Sequence, residues 1–281
     1  RKPTLEKSSP EARLDQSFAR PAETADPIAM ARRDLKKAPP QRCYKVVTVQ
    51  QRDGVCRLLL DGRPAKSPGG NHLALPGAAA ARALADEWAA QGETIDPAAM
   101  PLTRLVNSAI DGVACRLDAT ADEIARYAEA DLVCYRSAGP TALVEAQAAA
   151  WDPILDFARE KLRAHFVCTN GVVFVEQPEP ACATVKAAIK CFANGSQAAP
   201  FAVAALHVMT TLTGSVLIAL GVALGALSPH DAWRAAHVDE DFEIAAWGED
   251  AEAMCRREGQ WREFEAAARL FGAVTPGAHG R

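Results

Sequence analysis

His237, Glu240 and Glu243 form the most reactive grouping in the chain, set in the run H-V-D-E-D-F-E at spacings that share one side of a helix. Carboxylate-bridged metal sites in helical bundles use Glu and His at this separation, but in the order Glu-x-x-His and in two copies. Here the order is reversed and the second copy is missing. A solvated acidic helix is the better reading, and a metal-dependent or hydrolytic enzyme using these bundle carboxylates is the alternative. Ser215 follows Gly214 in an apolar helical run with no G-x-S-x-G elbow, so its hydroxyl is expected to bond backbone rather than attack a substrate. Neither G-x-x-x-x-G-K before Ser or Thr nor G-x-G-x-x-G after a strand occurs, which argues against an ATPase or a dinucleotide enzyme. The eight cysteines are scattered, with no C-x-x-C and no His at zinc-ligand spacing, and read as reduced thiols. No catalytic residue, metal or cofactor is therefore expected.

The same segment has a composition suited to contact rather than reaction. Residues 238–252 carry seven acids and no base. At about 100° per residue, Asp239, Asp250, Glu243, Trp247 and Glu240 fall within one stripe, so an indole would be bordered by four carboxylates. An aromatic anchor with a charged rim is how binding surfaces gain affinity and steer a basic partner. Gly248 weakens this, since a glycine inside a helix costs about 1 kcal/mol and can split the stripe in two. Trp88 shares a face with Leu84 and Gln91 and is expected to plug a helix onto a sheet; Trp151 and Tyr135 are expected to pack.

The elements that would carry these residues change in kind along the chain. Residues 1–41 are rich in Pro, Ser and mixed charge without apolar periodicity, which predicts a flexible arm, and their acids argue against a transit peptide. From Cys43 to Leu75 short β-type runs alternate with turn signals, the strongest being Asp53-Gly54 between the runs CYKVVTV and VCRLLLDGR. Helical patterns come next, with expected starts at Asp96-Pro97, at a Thr120–Glu123 capping box, at Asp152-Pro153 and at Ser228-Pro229. VCTNGVVFVEQP is a short β-like interruption between the earlier and later helices. The expected fold is α+β: a β-meander/α domain over 42–118, then a helical bundle over 119–275.

The totals set outer limits. A chain of 281 residues, 49% hydrophobic, can bury a sizeable core. A formal charge of −4 gives no reason to expect nucleic acid, although residues 31–45 hold six bases against one acid. Phe201 to Leu227 contains no Asp, Glu, Lys or Arg, but its hydroxyls, His207 and the mid-segment Gly214 favour two buried helices over a membrane-anchored one. Gly221 and Gly225 would permit close packing in either setting.

Several strings in colinear order resemble one family, the assembly chaperones of the F-type ATP synthase that bind its alpha subunit. They are L-D-G-R-P from Leu60 with Lys66 and Pro68, E-W-A-A-Q-G-E from Glu87, I-D-P-A-A-M-P-L-T-R-L from Ile95, D-L-V-C-Y-R from Asp131, W-D-P-I-L-D from Trp151, L-T-G-S from Leu212, and W-G-E-D-A-E-A from Trp247. The resemblance implies a fold of the kind already expected, with the C-terminal α-helical bundle orthogonal, and a protein that catalyses nothing, shielding the unassembled alpha subunit from aggregation until the beta subunit displaces it. It also implies a partner-binding role for Glu240, Glu243, Trp247, Glu249, Asp250 and Glu252. Two departures from the family pattern are Glu243, where Gln is common, and Phe157, where Trp is expected. A chain of this kind would be monomeric when free, would not insert in membranes, and would work in a bacterial cytoplasm or a mitochondrial matrix.

Overall fold

The computed structural model describes residues 40–171 and 173–276; the arm expected at 1–41 lies almost wholly outside them. Asp53 and Gly54 both adopt positive φ (55° and 79°) and join β1 (Val47–Arg52) to β2 (Val55–Leu60) as a tight hairpin in which Arg52 faces Val55. A right-twisted ribbon accepts two residues in this conformation without splaying, which is why this dipeptide is so legible. Asp61 and Gly62 repeat the device (φ 48° and 78°) and turn the chain into β3 (Arg63–Pro64). β4 (Ala74–Pro76) pairs with the opposite end of β2 and completes a four-stranded antiparallel sheet. Cys56, Leu58 and Leu75 point into the core, where α1 (Ala78–Ala89) covers the sheet with Ala80, Ala81 and Leu84.

Beyond α1 the chain is mainly helical: α2 (Pro101–Asp111), α3 (Leu117–Ala125), α4 (Thr141–Lys161), α5 (Glu179–Phe192), α6 (Ala199–Thr213), α7 (Val216–Ala223), α8 (Pro229–Ala236), α9 (Val238–Trp247) and α10 (Ala251–Val274). The α+β class expected from the sequence is the one observed. A single hydrophobic cluster runs from Leu58 of the sheet through Val106, Trp151 and Leu206 to Phe271, with α10 laid along α6, α2 and α1. Phe201–Leu227 does form two buried helices, and the left-handed Gly214 (φ 65°) separates them. No helix among the described residues is long and apolar enough to cross a membrane.

Three expected helix starts are corrected. Asp96 caps only a 3-10 turn (Pro97–Ala99), because Pro101 has no N–H to extend it and holds Met100 outside the helical region (φ −123°, ψ 57°). α2 then starts at Pro101, and its free N–H groups at Leu102 and Thr103 donate to the Glu87 carboxylate of α1, at 2.9 and 2.7 Å. Thr120 lies inside α3, its hydroxyl bonded back to the Arg116 carbonyl, so it caps nothing. Pro153 lies inside α4, which runs straight through it. Trp151, Ile154, Phe157 and Ala158 all bury on that stripe, and the Trp151 indole donates to the Ala235 carbonyl at 2.7 Å. That packing outweighs the roughly 3 kcal/mol a mid-helix proline costs. Ser228 does cap α8, accepting from the Asp231 N–H at 3.1 Å. Among the described residues of the β-like segment near 170, only Thr169–Asn170 (β6) forms a strand, paired in parallel with Tyr135–Arg136 (β5).

Candidate partner-binding surface

α9 buries none of its ten residues. Val238 packs against the core at its start, and polar contacts fix the rest. Asp239 accepts from the Gln147 amide of α4 at 2.6 Å, and Asp241 and Glu240 meet the Arg257 guanidinium of α10 at 2.6 and 3.8 Å. The helix stops at Trp247 because Gly248 takes a conformation closed to side chains (φ 94°), and Asp250 starts α10 by accepting from the Glu252 N–H at 2.8 Å. The single stripe expected from the sequence is thus broken at Gly248. Asp250 heads the next helix instead of continuing the first.

The six candidate residues consequently differ in their surroundings. Trp247 is 89% exposed, an indole with nothing packed over it. Glu243 and Glu249 are exposed and make no ion pair with a described residue. Glu240 is held by Arg257, Glu252 by Arg256 at 2.6 Å, and Asp250 serves as a cap. Trp247 therefore sits at a helix corner with an unneutralised carboxylate one turn before it and another two residues after it.

His237 does not join these carboxylates. Its Nδ1 lies 2.8 Å from the Trp233 carbonyl and its ring 4.0 Å from the Trp233 ring, and burial holds its pKa below the usual value. No group of three or more His, Cys, Asp or Glu among the described residues could hold a metal ion. A cleft of about 680 Å³ between α2, α3 and α6 has an apolar floor including Leu105 and Val208. Of its rim charges, Arg104 pairs with Glu263 at 2.9 Å and Arg116 with Glu123 at 3.3 Å, while Asp111 accepts from Ser67, Asn71 and the Gly69 N–H.

Sequence reasoning missed one chemically loaded group. Asp131 is fully buried, and its carboxylate accepts from the Ser215 hydroxyl at 2.6 Å and from the N–H groups of Leu217 and Val133 at 3.1 and 3.2 Å. Burial pushes its pKa up to about 6, against which these donors pull. Ser215 in turn caps α7 through the Ile218 N–H at 3.0 Å. Fully buried, with its hydroxyl given to Asp131, Ser215 ties the turn after Asp131 to the start of α7 and is out of reach of a substrate. The signal was present in the strings D-L-V-C-Y-R and L-T-G-S, but nothing local says that they touch.

The arrangement is an exposed indole on a charged helix with no buried residue, beside a fold whose polar clusters hold no metal site among the described residues. The profile of the ATP12 chaperone protein matches residues 41–159. The Atu1473 protein of Agrobacterium tumefaciens is 41% identical and superposes with a TM-score of 0.80 over 90% of this chain and 93% of that one. Atp12 of Paracoccus denitrificans is 37% identical, with a TM-score of 0.76 over 84% of this chain and 99% of that one. The chain belongs to the ATP12 chaperone family, which bears out the likeness to ATP synthase assembly chaperones seen in the sequence.

Proposed function

We propose that this protein binds the unassembled alpha subunit of the F-type ATP synthase and keeps it from aggregating until the beta subunit displaces it. The observation that carries this is α9, a helix with no buried residue that presents Trp247 among carboxylates no described residue neutralises. Such a surface suits a basic partner, with charge speeding encounter and the indole supplying contact area. Displacement needs no nucleotide hydrolysis, because a larger, more apolar interface with beta wins on free energy alone. The partner-binding residues are Glu240, Glu243, Trp247, Glu249, Asp250 and Glu252. The protein acts as a monomer when free, in a bacterial cytoplasm or a mitochondrial matrix, where its unpaired cysteines stay reduced.

The test is to dilute denatured alpha subunit to micromolar concentration with and without this protein and follow light scattering. Scattering should fall sharply at equimolar chaperone, and adding beta should release alpha into a complex. Equal scattering in both samples rejects the proposal.

A further inference from the structure

Six large apolar side chains are exposed among the described residues, and five of them belong to segments that one short path of hydrogen bonds joins. Val173 (69% exposed), Phe174 (67%) and Val167 (44%) lie between α4 and α5. The base of that loop is clamped: the buried Gln177 amide accepts from the Val167 N–H at 2.9 Å and donates to the Val167 carbonyl at 2.8 Å. The Gly171 N–H donates to the Arg136 carbonyl at 2.7 Å, which docks the loop on β5. Next along the chain, the Ser137 N–H donates to the Gln147 side chain at 2.7 Å, and the same amide holds Asp239 of α9. Val144, one turn before Gln147 on α4, and Trp247 on α9 are the fourth and fifth exposed residues. The apolar tip and the acidic helix are therefore both tied to the stretch 135–137, the tip through Arg136 and the helix through Ser137 and Gln147.

We infer that Val173 and Phe174 are the apolar anchor of the docking surface whose acidic flank is α9, and that its occupant is a face of the alpha subunit that is apolar at its centre and basic at its edge. This deepens the proposed function and rests on it. Charge complementarity selects the partner: a second copy of this chain would bring a second acidic α9 into the same contact, because a two-fold contact repeats the same patch on both sides. Area points the same way. Val167, Val173 and Phe174 present on the order of 300 Å², well short of the roughly 800 Å² per partner of a stable interface. Such a tip serves as one anchor within a larger contact, and its clamped base means little ordering is needed on binding.

The experiment measures binding of purified alpha subunit to the full chain and to Phe174→Asp and Phe174→Ala variants. Dissociation should quicken about tenfold or more in both variants while association changes little, since steering comes from α9. Their melting temperatures should match the unaltered protein, because the side chain is exposed. A photoreactive benzoylphenylalanine placed at 174 should crosslink to alpha, a readout that does not depend on how the Asp variant folds. Unchanged dissociation, or crosslinking only between copies of this chain, overturns the anchor while leaving the proposed function standing. If the unaltered chain does not bind alpha at all, both fall.

Discussion

Replacing Asp131 by asparagine lowers stability by about 3 kcal/mol at pH 7, because the amide turns an N–H₂ toward buried N–H donors that lose their acceptor. For a chain of this size that is a fall of roughly 6–12 °C in melting temperature. The penalty also depends on pH in a sense opposite to the usual carboxylate. Asp131 has its pKa raised from 3.8 to about 6 by burial, so the folded state binds the proton more tightly than the unfolded chain. Its contribution to stability is therefore greatest below pH 4 and declines as pH rises towards 6, by about 3 kcal/mol in all. Between pH 7 and pH 5 the gap between the unaltered protein and Asp131→Asn should widen by about 1 kcal/mol. Chemical denaturation of both proteins across that range checks it. A gap that narrows on acidification would mean that the Ser215, Leu217 and Val133 donors outweigh burial and hold the group ionised.

The second large effect is on rate. Glu243→Lys combined with Glu249→Lys exchanges two unneutralised carboxylates beside Trp247 for two ammonium groups. Association with alpha should slow by about 10- to 100-fold at low salt, and the gap should close as ionic strength rises and the Debye length shrinks. Stability should move by less than about 1 kcal/mol, since neither side chain is paired with a described residue. Glu240 is the wrong position for this test, because a lysine there would face Arg257 and loosen α9 itself. Stopped-flow mixing across a salt series reads the rate. An unchanged rate with a collapsed melting temperature would show that these carboxylates are structural.

The two variants probe different levels of the molecule. Asp131 caps the turn that leads into β5, and from the stretch 135–137 the apolar tip is held through Arg136 and α9 through Ser137 and Gln147. Glu243 and Glu249 lie at the outer surface and support nothing. A loss of binding that accompanies Asp131→Asn without a loss of steering would locate the defect in the mounting of the surface, with its charge intact.

What the sequence determined by itself is everything whose cause lies within a few residues. The Asp53-Gly54 hairpin comes from two residues that tolerate positive φ, the Ser228 cap from one hydroxyl before a proline, and the division of 201–227 from Gly214. The acidity of 238–252 and its lone indole were likewise visible as composition. Only the tertiary structure decided the rest. Pro153 is tolerated because Trp151 and Ile154 bury around it; α2 waits for Pro101 and is capped by Glu87 from another helix; Thr120 falls inside a helix that began earlier. Asp131 meets Ser215 across 84 positions, and Gln147 meets Asp239 across 92. Turn and cap energies are set by neighbours in the chain, so they can be read in order. Burial and long-range hydrogen bonds are set by neighbours in space, and these tied the apolar tip and the acidic helix to the one stretch 135–137.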